Sequence, residues 1–123
     1  MSSEFILEPT DYTPLCRMTS ESKSILLSGV SMPENANEFY YPIISAVDDL
    51  FENDSVEFTL TVDFSYMNSM SNKQILRLMK HLESKSFKLR VIWKFRPDDE
   101  LMKVKGEELK RICKTITFEV EKI

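Results

Sequence analysis

Glu57-Phe-Thr-Leu-Thr-Val-Asp-Phe-Ser-Tyr66 runs straight into Met67-Asn-Ser-Met-Ser-Asn-Lys73, and the change of period between the two stretches decides the fold. In the first, Phe58, Leu60, Val62, Phe64 and Tyr66 alternate with Glu57, Thr59, Thr61, Asp63 and Ser65. That two-residue period marks a strand with one buried face. Beyond the second, Ile75, Leu78, Met79 and Leu82 follow the i, i+3, i+4, i+7 spacing of an amphipathic helix. Ser69 lies at the junction, where a hydroxyl meets the positive end of a helix and can serve either as a neutral cap or as a phosphate carrier.

Working outward, Lys88 to Phe95 repeats the strand period with Leu89, Val91, Trp93 and Phe95 on one side, although Ile92 interrupts the polar side. A last strand sets Ile116, Phe118 and Val120 inward. Phe39, Ile43, Val47 and Leu50 have helical spacing, and Pro42 predicts a helix start near that residue or a kink. Asp98 to Ile112 reads as a weaker helix that Gly106 breaks in two. Pro14 to Met18 and Ser24 to Gly29, around the polar turn Thr19 to Lys23, form an N-terminal β-hairpin. Strands joined by helices pair in parallel through right-handed crossovers. The expected fold is therefore α/β: a mixed sheet with an N-terminal hairpin, later strands parallel and helices mainly on one face. The Thr-rich face is left wet or open to a second copy in a homodimer.

The 123 residues fit one domain spanning 1–123, with 42% apolar and 29% charged residues in the range of a water-soluble globular chain. No apolar run nears the roughly 20 residues that cross a bilayer. Met1 to Glu8 lacks the pattern of a secretory signal, so a cytoplasmic location is expected. Cys16 and Cys113 have no metal-like spacing and read as free buried thiols. A net charge of −4 without a basic stripe argues against nucleic acid, and two glycines, Gly29 and Gly106, cannot build a Gly-rich phosphate loop. No cofactor is expected.

Catalysis fails on inventory. His81 is the one histidine and has no Cys or Ser neighbour to make a nucleophile and base pair. Asp98, Asp99 and Glu100, with Glu107 and Glu108, offer carboxylates for a hard cation, but acids after Pro97 are what a helix start favours, with Lys103 one turn on. No metal site and no enzyme are expected. Ser69 and Ser71 are both good N-cap residues, and Ser71 with Gln74 has capping-box spacing. The residues alone lead to an α/β domain without a catalytic centre.

Five strings in order carry the chain further: Thr10 to Pro14, Gly29 to Ala36 (Gly-Val-Ser-Met-Pro-Glu-Asn-Ala), Phe39 to Ile43, Tyr66 to Lys73, and Trp93 to Met102 followed by Gly106-Glu-Glu108. In these the chain resembles the SiaC-type regulatory phosphoproteins, whose fold is like the STAS domains of anti-sigma factor antagonists. The resemblance implies phosphorylation on the Thr or Ser of the Asn-Thr/Ser segment by an anti-sigma-type Ser/Thr kinase, and release by a PP2C-like phosphatase. It also implies that the unmodified form binds an effector such as a diguanylate cyclase. The acceptor falls on Ser69, where the family more often has Thr; Met70 stands where a small hydroxyl residue is common.

Pro33-Glu34-Asn35, Asn68-Ser69 and Pro97-Asp98-Asp99 each follow a predicted strand and precede a predicted helix. Parallel strands would place them on one carboxyl-end rim. Pro33, Glu34, Asn35, Asn68, Met70, Ser71, Lys73, Asp98 and Asp99 are the expected partner-binding residues, although Pro33, Glu34 and Asn35 serve equally well to shape the turn and cap the first helix, and Ser71 is a candidate second acceptor. Met32, Met67, Met70 and Tyr66 would add an adaptable apolar patch, although core filling accounts for Tyr66 equally well. The rival readings are a constitutive dimerising or scaffolding module in which Ser69 is only a cap, and, behind it, a small metal-binding protein or enzyme.

Overall fold

The computed structural model describes residues 4–51, 57–85 and 88–123, so Met1 to Ser3 of the segment read for a signal lie outside the described residues. Six strands form one sheet in sequence order: β1 (Glu4–Leu7), β2 (Leu15–Thr19), β3 (Ser24–Ser31), β4 (Glu57–Met67), β5 (Lys88–Phe95) and β6 (Thr117–Lys122). β1, β2 and β3 pair antiparallel, and β3 through β6 pair parallel. The parallel strands are joined by α1 (Ala36–Leu50), α2 (Ser69–Ser84) and α3 (Glu100–Ile112). Because these strands add in one direction, right-handed crossovers put all three helices on the same face. The α/β fold, the hairpin of β2 with β3 and the parallel later strands agree with the sequence reading; β1 is an addition to it. No helix among the described residues is long and apolar enough to cross a membrane.

The core forms where the helical stripes meet the inward row of the sheet. Phe58, Leu60, Val62 and Phe64 are fully buried, with Val91 and Trp93 on β5 and Ile25 and Leu27 on β3. From the helices come Tyr40, Ile43 and Val47, then Ile75, Leu78, Met79 and Leu82, then Met102 and Leu109. Burial of each large side chain contributes about 1.5–3 kcal/mol, which makes this layer the main source of stability.

Three local expectations give way to tertiary packing. Tyr66 continues the alternation of β4 but is 52% exposed. Gly29 pairs with Phe64 and Val30 with Tyr66, so Ser65 is an extra residue in β4. A one-residue bulge flips the faces beyond it, turning Tyr66 out and Met67 in. Gly29 is at φ 112°, a region that glycine enters freely.

Gly106 does not break α3. The helix runs through it, because a Cβ there would stand 2.4 Å from Trp93 Cδ1; its bare backbone is what lets the helix approach the indole. Pro42 does not start α1 either. Asn35 caps that helix by accepting a hydrogen bond from the Glu38 N–H at 3.0 Å, and Pro42 lies on its exposed side.

Candidate functional site

The carboxyl ends of β3, β4 and β5 lie side by side, and each leads into a helix through a loop: residues 32–35, Asn68 and residues 96–99. Each helix is capped in the same way. Asn35 accepts from Glu38 N–H, Asn68 from Ser71 N–H at 2.9 Å, and Asp99 from Met102 N–H at 3.0 Å. Such caps satisfy amides that would otherwise be orphaned and contribute about 1 kcal/mol each.

The cap of α2 is therefore Asn68, not Ser69 or Ser71. Ser69 becomes the first residue of the helix and is exposed. Its hydroxyl is released from the capping duty that the sequence allowed it. Met70 is 52% exposed beside it, and Lys73 is exposed one turn on. Ser71, by contrast, is fully buried; its hydroxyl donates to the Ser31 carbonyl at 3.0 Å and accepts from Ser31 Oγ at 2.8 Å. Ser31 Oγ in turn lies 2.6 Å from the hydroxyl of Tyr40, on α1. Burial pushes the Tyr40 phenol well above its ordinary range, which favours the protonated hydroxyl.

Of the other expected contact residues, Glu34, Asn35 and Asp98 are exposed on the rim. Asn68 and Asp99 are half-buried and committed to caps, while Pro33 is buried and shapes the β3–α1 loop. A shallow cavity of about 580 Å³ lies over that loop, lined by Thr13, Glu34, Asn35, Glu38 and Phe39. The acidic end of α3 is not a gathered cation site. Asp99 spends its carboxylate on the cap, Glu108 pairs with Lys105 at 3.8 Å, and among the described residues no three His, Cys, Asp or Glu side chains converge.

To Tyr66 and Met67 of the expected apolar patch the structure adds Leu101, Val104 and Lys105, which the sequence reading did not single out. A groove of about 450 Å³ runs between the end of β4 and α3, with Tyr66, Met67, Leu101, Val104 and Lys105 on its walls. Leu101 is 82% exposed and Val104 41%. The signal was present in α3: Met102 and Leu109 fill the buried stripe, so Leu101 and Val104 fall off it. An exposed apolar cluster rimmed by charge is the usual mark of a protein contact.

A model of the SiaC family of regulatory phosphoproteins matches residues 7–123. No curated protein matches the chain. Among solved structures, SiaC of Pseudomonas aeruginosa is 19% identical, with a TM-score of 0.85 over 98% of this chain and 99% of that one. The diguanylate cyclase SiaD of Pseudomonas aeruginosa in complex with its activator SiaC matches at 20% identity and a TM-score of 0.86, over 97% of this chain and 99% of that one. Apo-SiaC from the same organism matches at 20% identity and 0.75, over 98% of each chain. At such identities the likeness speaks for the fold, and the match over residues 7–123 speaks for the family.

Proposed function

Because the chain belongs to the SiaC family of regulatory phosphoproteins, we propose that it is a non-enzymatic signalling switch whose state is the presence or absence of an ester on Ser69. Unmodified Ser69 permits docking of an effector signalling protein on the carboxyl-end rim. An anti-sigma-type kinase, supplying its own ATP, blocks that docking by phosphorylating Ser69, and a PP2C-like phosphatase restores it. A diguanylate cyclase is the effector class favoured by the relative that is an activator of SiaD.

The observation that carries this reading is the release of Ser69. Its neighbour Asn68 caps α2, so the exposed hydroxyl has no capping role and can be modified without unmaking the helix. Phosphate adds about −1.5 to −2 charges. At the first helical residue, with Lys73 one turn away, that charge is favourable by about 0.3–1 kcal/mol. The fold therefore tolerates the ester, and its effect falls on whatever covers the rim.

The test is incubation with the kinase and ATP, followed by intact mass. Wild type gains one phosphate and Ser69→Ala gains none; an unmodified wild type sinks the switch. Ser69→Asp then weakens effector capture while the melting temperature stays nearly constant. The reading of Ser69 as only a cap predicts capture intact and no added phosphate, since aspartate caps a helix about as well as serine.

A further inference from the structure

We infer that a buried chain of hydroxyls, Tyr40 to Ser31 to Ser71, is the positioning device of the acceptor turn and makes Ser69 the sole acceptor of the Ser69 and Ser71 pair. The inference rests on the proposed role of Ser69 and adds what holds it in place.

The direction of the chain follows from proton count. Ser31 Oγ donates to Ser71 Oγ at 2.8 Å, and Ser71 Oγ donates to the Ser31 carbonyl at 3.0 Å. A serine hydroxyl has one proton, so the 2.6 Å contact between Tyr40 and Ser31 is a donation from the phenol. The Ser31 carbonyl also accepts the Asn68 N–H at 3.0 Å, which uses both of its lone pairs. Asn68 and Ser71 bracket Ser69 and Met70 in the chain. One carbonyl thus pins both ends of a two-residue segment, and that segment projects outward.

Ser31, Tyr40 and Ser71 are all 0% exposed. In such a setting a broken link strands a polar atom without water, so the chain resists opening. Phosphoryl transfer to a serine forms an O–P bond at Oγ, breaks the bond to the β-phosphate oxygen to leave ADP, and releases the hydroxyl proton. At Ser71 this requires the proton to leave the Ser31 carbonyl and the first turn of α2 to unwind. At Ser69 it requires neither.

The experiment is hydrogen–deuterium exchange on the full chain, comparing wild type with Tyr40→Phe and Ser71→Ala. The amides of Ser71 and Asn72, which bond to the Asn68 side chain and carbonyl, exchange about tenfold faster in both variants, with β4 and β5 unchanged. No local change, or a uniform rise across the chain as in simple destabilisation, overturns the inference. Tyr40→Phe keeps the ring in the core, so the test survives if Ser71→Ala folds poorly. With the kinase and ATP, site mapping finds phosphate on Ser69 in wild type and none on Ser71 in Ser69→Ala. Phosphate on Ser71 in that variant refutes the assignment. If wild type takes no phosphate at all, the acceptor reading fails, and the exchange data still decide the clamp.

Discussion

Gly106→Ala is expected to destabilise this protein, against the ordinary rule for helices. In an open helix interior the change gains about 1 kcal/mol, because alanine loses less backbone freedom. Here the new methyl would sit 2.4 Å from Trp93 Cδ1, 2.8 Å from Nε1 and 2.9 Å from Cγ. Relief to ordinary contact needs a shift of about 1 Å by the ring or the helix, taking van der Waals contact at roughly 3.5 Å. Neither is free to give. Trp93 is fully buried, packs edge-on to Phe64 with ring centroids 6.5 Å apart, and donates its Nε1–H to the Met102 carbonyl at 2.9 Å.

Overpacking of this kind costs about 1–3 kcal/mol, and loss of the indole hydrogen bond adds about 1. Less the propensity gain, the net is a loss of about 1–3 kcal/mol. For a chain of this length that is a fall of roughly 4–12 °C in melting temperature. Thermal unfolding followed by circular dichroism measures the loss. Trp93, the single tryptophan, reports the local change by fluorescence. A melting temperature equal to or above wild type refutes the account of why α3 carries a glycine. Because α3 forms one wall of the groove with Leu101 and Val104, the variant is also expected to lose effector capture.

Asn68→Ala removes the cap of α2 and should cost about 1 kcal/mol in a urea melt, whereas Ser69→Ala should cost much less; equal losses would mean that the cap is shared. Leu101→Glu, at a side chain 82% exposed, should leave the melting temperature within about 2 °C of wild type and abolish effector capture in a pull-down. Burial pushes the Cys16 thiol up to about 12 from its ordinary 9. A raised folded pKa means that this stability is fully present below pH 9 and is lost as pH rises from 9 toward 12. Each such group contributes a slope of about 1.4 kcal/mol per pH unit, and Tyr40, also raised by burial, adds to it at higher pH. Cys16→Ala should flatten the alkaline limb of stability against pH; an unchanged limb would count against this cause.

The parts of the fold legible in the sequence are those where one face of an element is buried and the other wet. Residues 57–64 and 88–95 read cleanly because a slipped register would expose every apolar side chain at once. Misreadings arise where a distant residue overrules a local preference. Tyr66 follows the period of β4 yet points outward, since a bulge cannot be seen in hydropathy; Gly29, on the neighbouring strand, was its trace. Propensity alone makes Gly106 a helix breaker, although Trp93, thirteen residues earlier, fixes the choice. Pro42 argues locally for a start near itself or a kink, yet α1 starts at the cap of Asn35 with Glu38, whose spacing is that of a helix start. β1 has four residues, none fully buried, and too little pattern to register.

The same contrast separates the proposed acceptor from its neighbours. Asparagine and serine both cap helices well, and only the fold divides the labour among Asn68, Ser69 and Ser71. Asn68 takes the amide of Ser71, Ser71 turns inward to Ser31, and Ser69 is left with nothing structural to do. In the proposed switch that idleness is the useful property. Met67 and Met70 flank Ser69 in sequence, and Tyr66, Leu101 and Val104 extend the apolar surface toward α3. A partner that covers this rim must strip water from whatever Ser69 carries. A hydroxyl gives up its hydration at a cost of a few kcal/mol, recoverable by one new hydrogen bond. A phosphate of nearly two charges cannot be covered at that cost unless the partner brings a matching cation. In the proposed switch, phosphorylation would therefore turn docking off by desolvation, with no rearrangement of the clamped backbone beneath it.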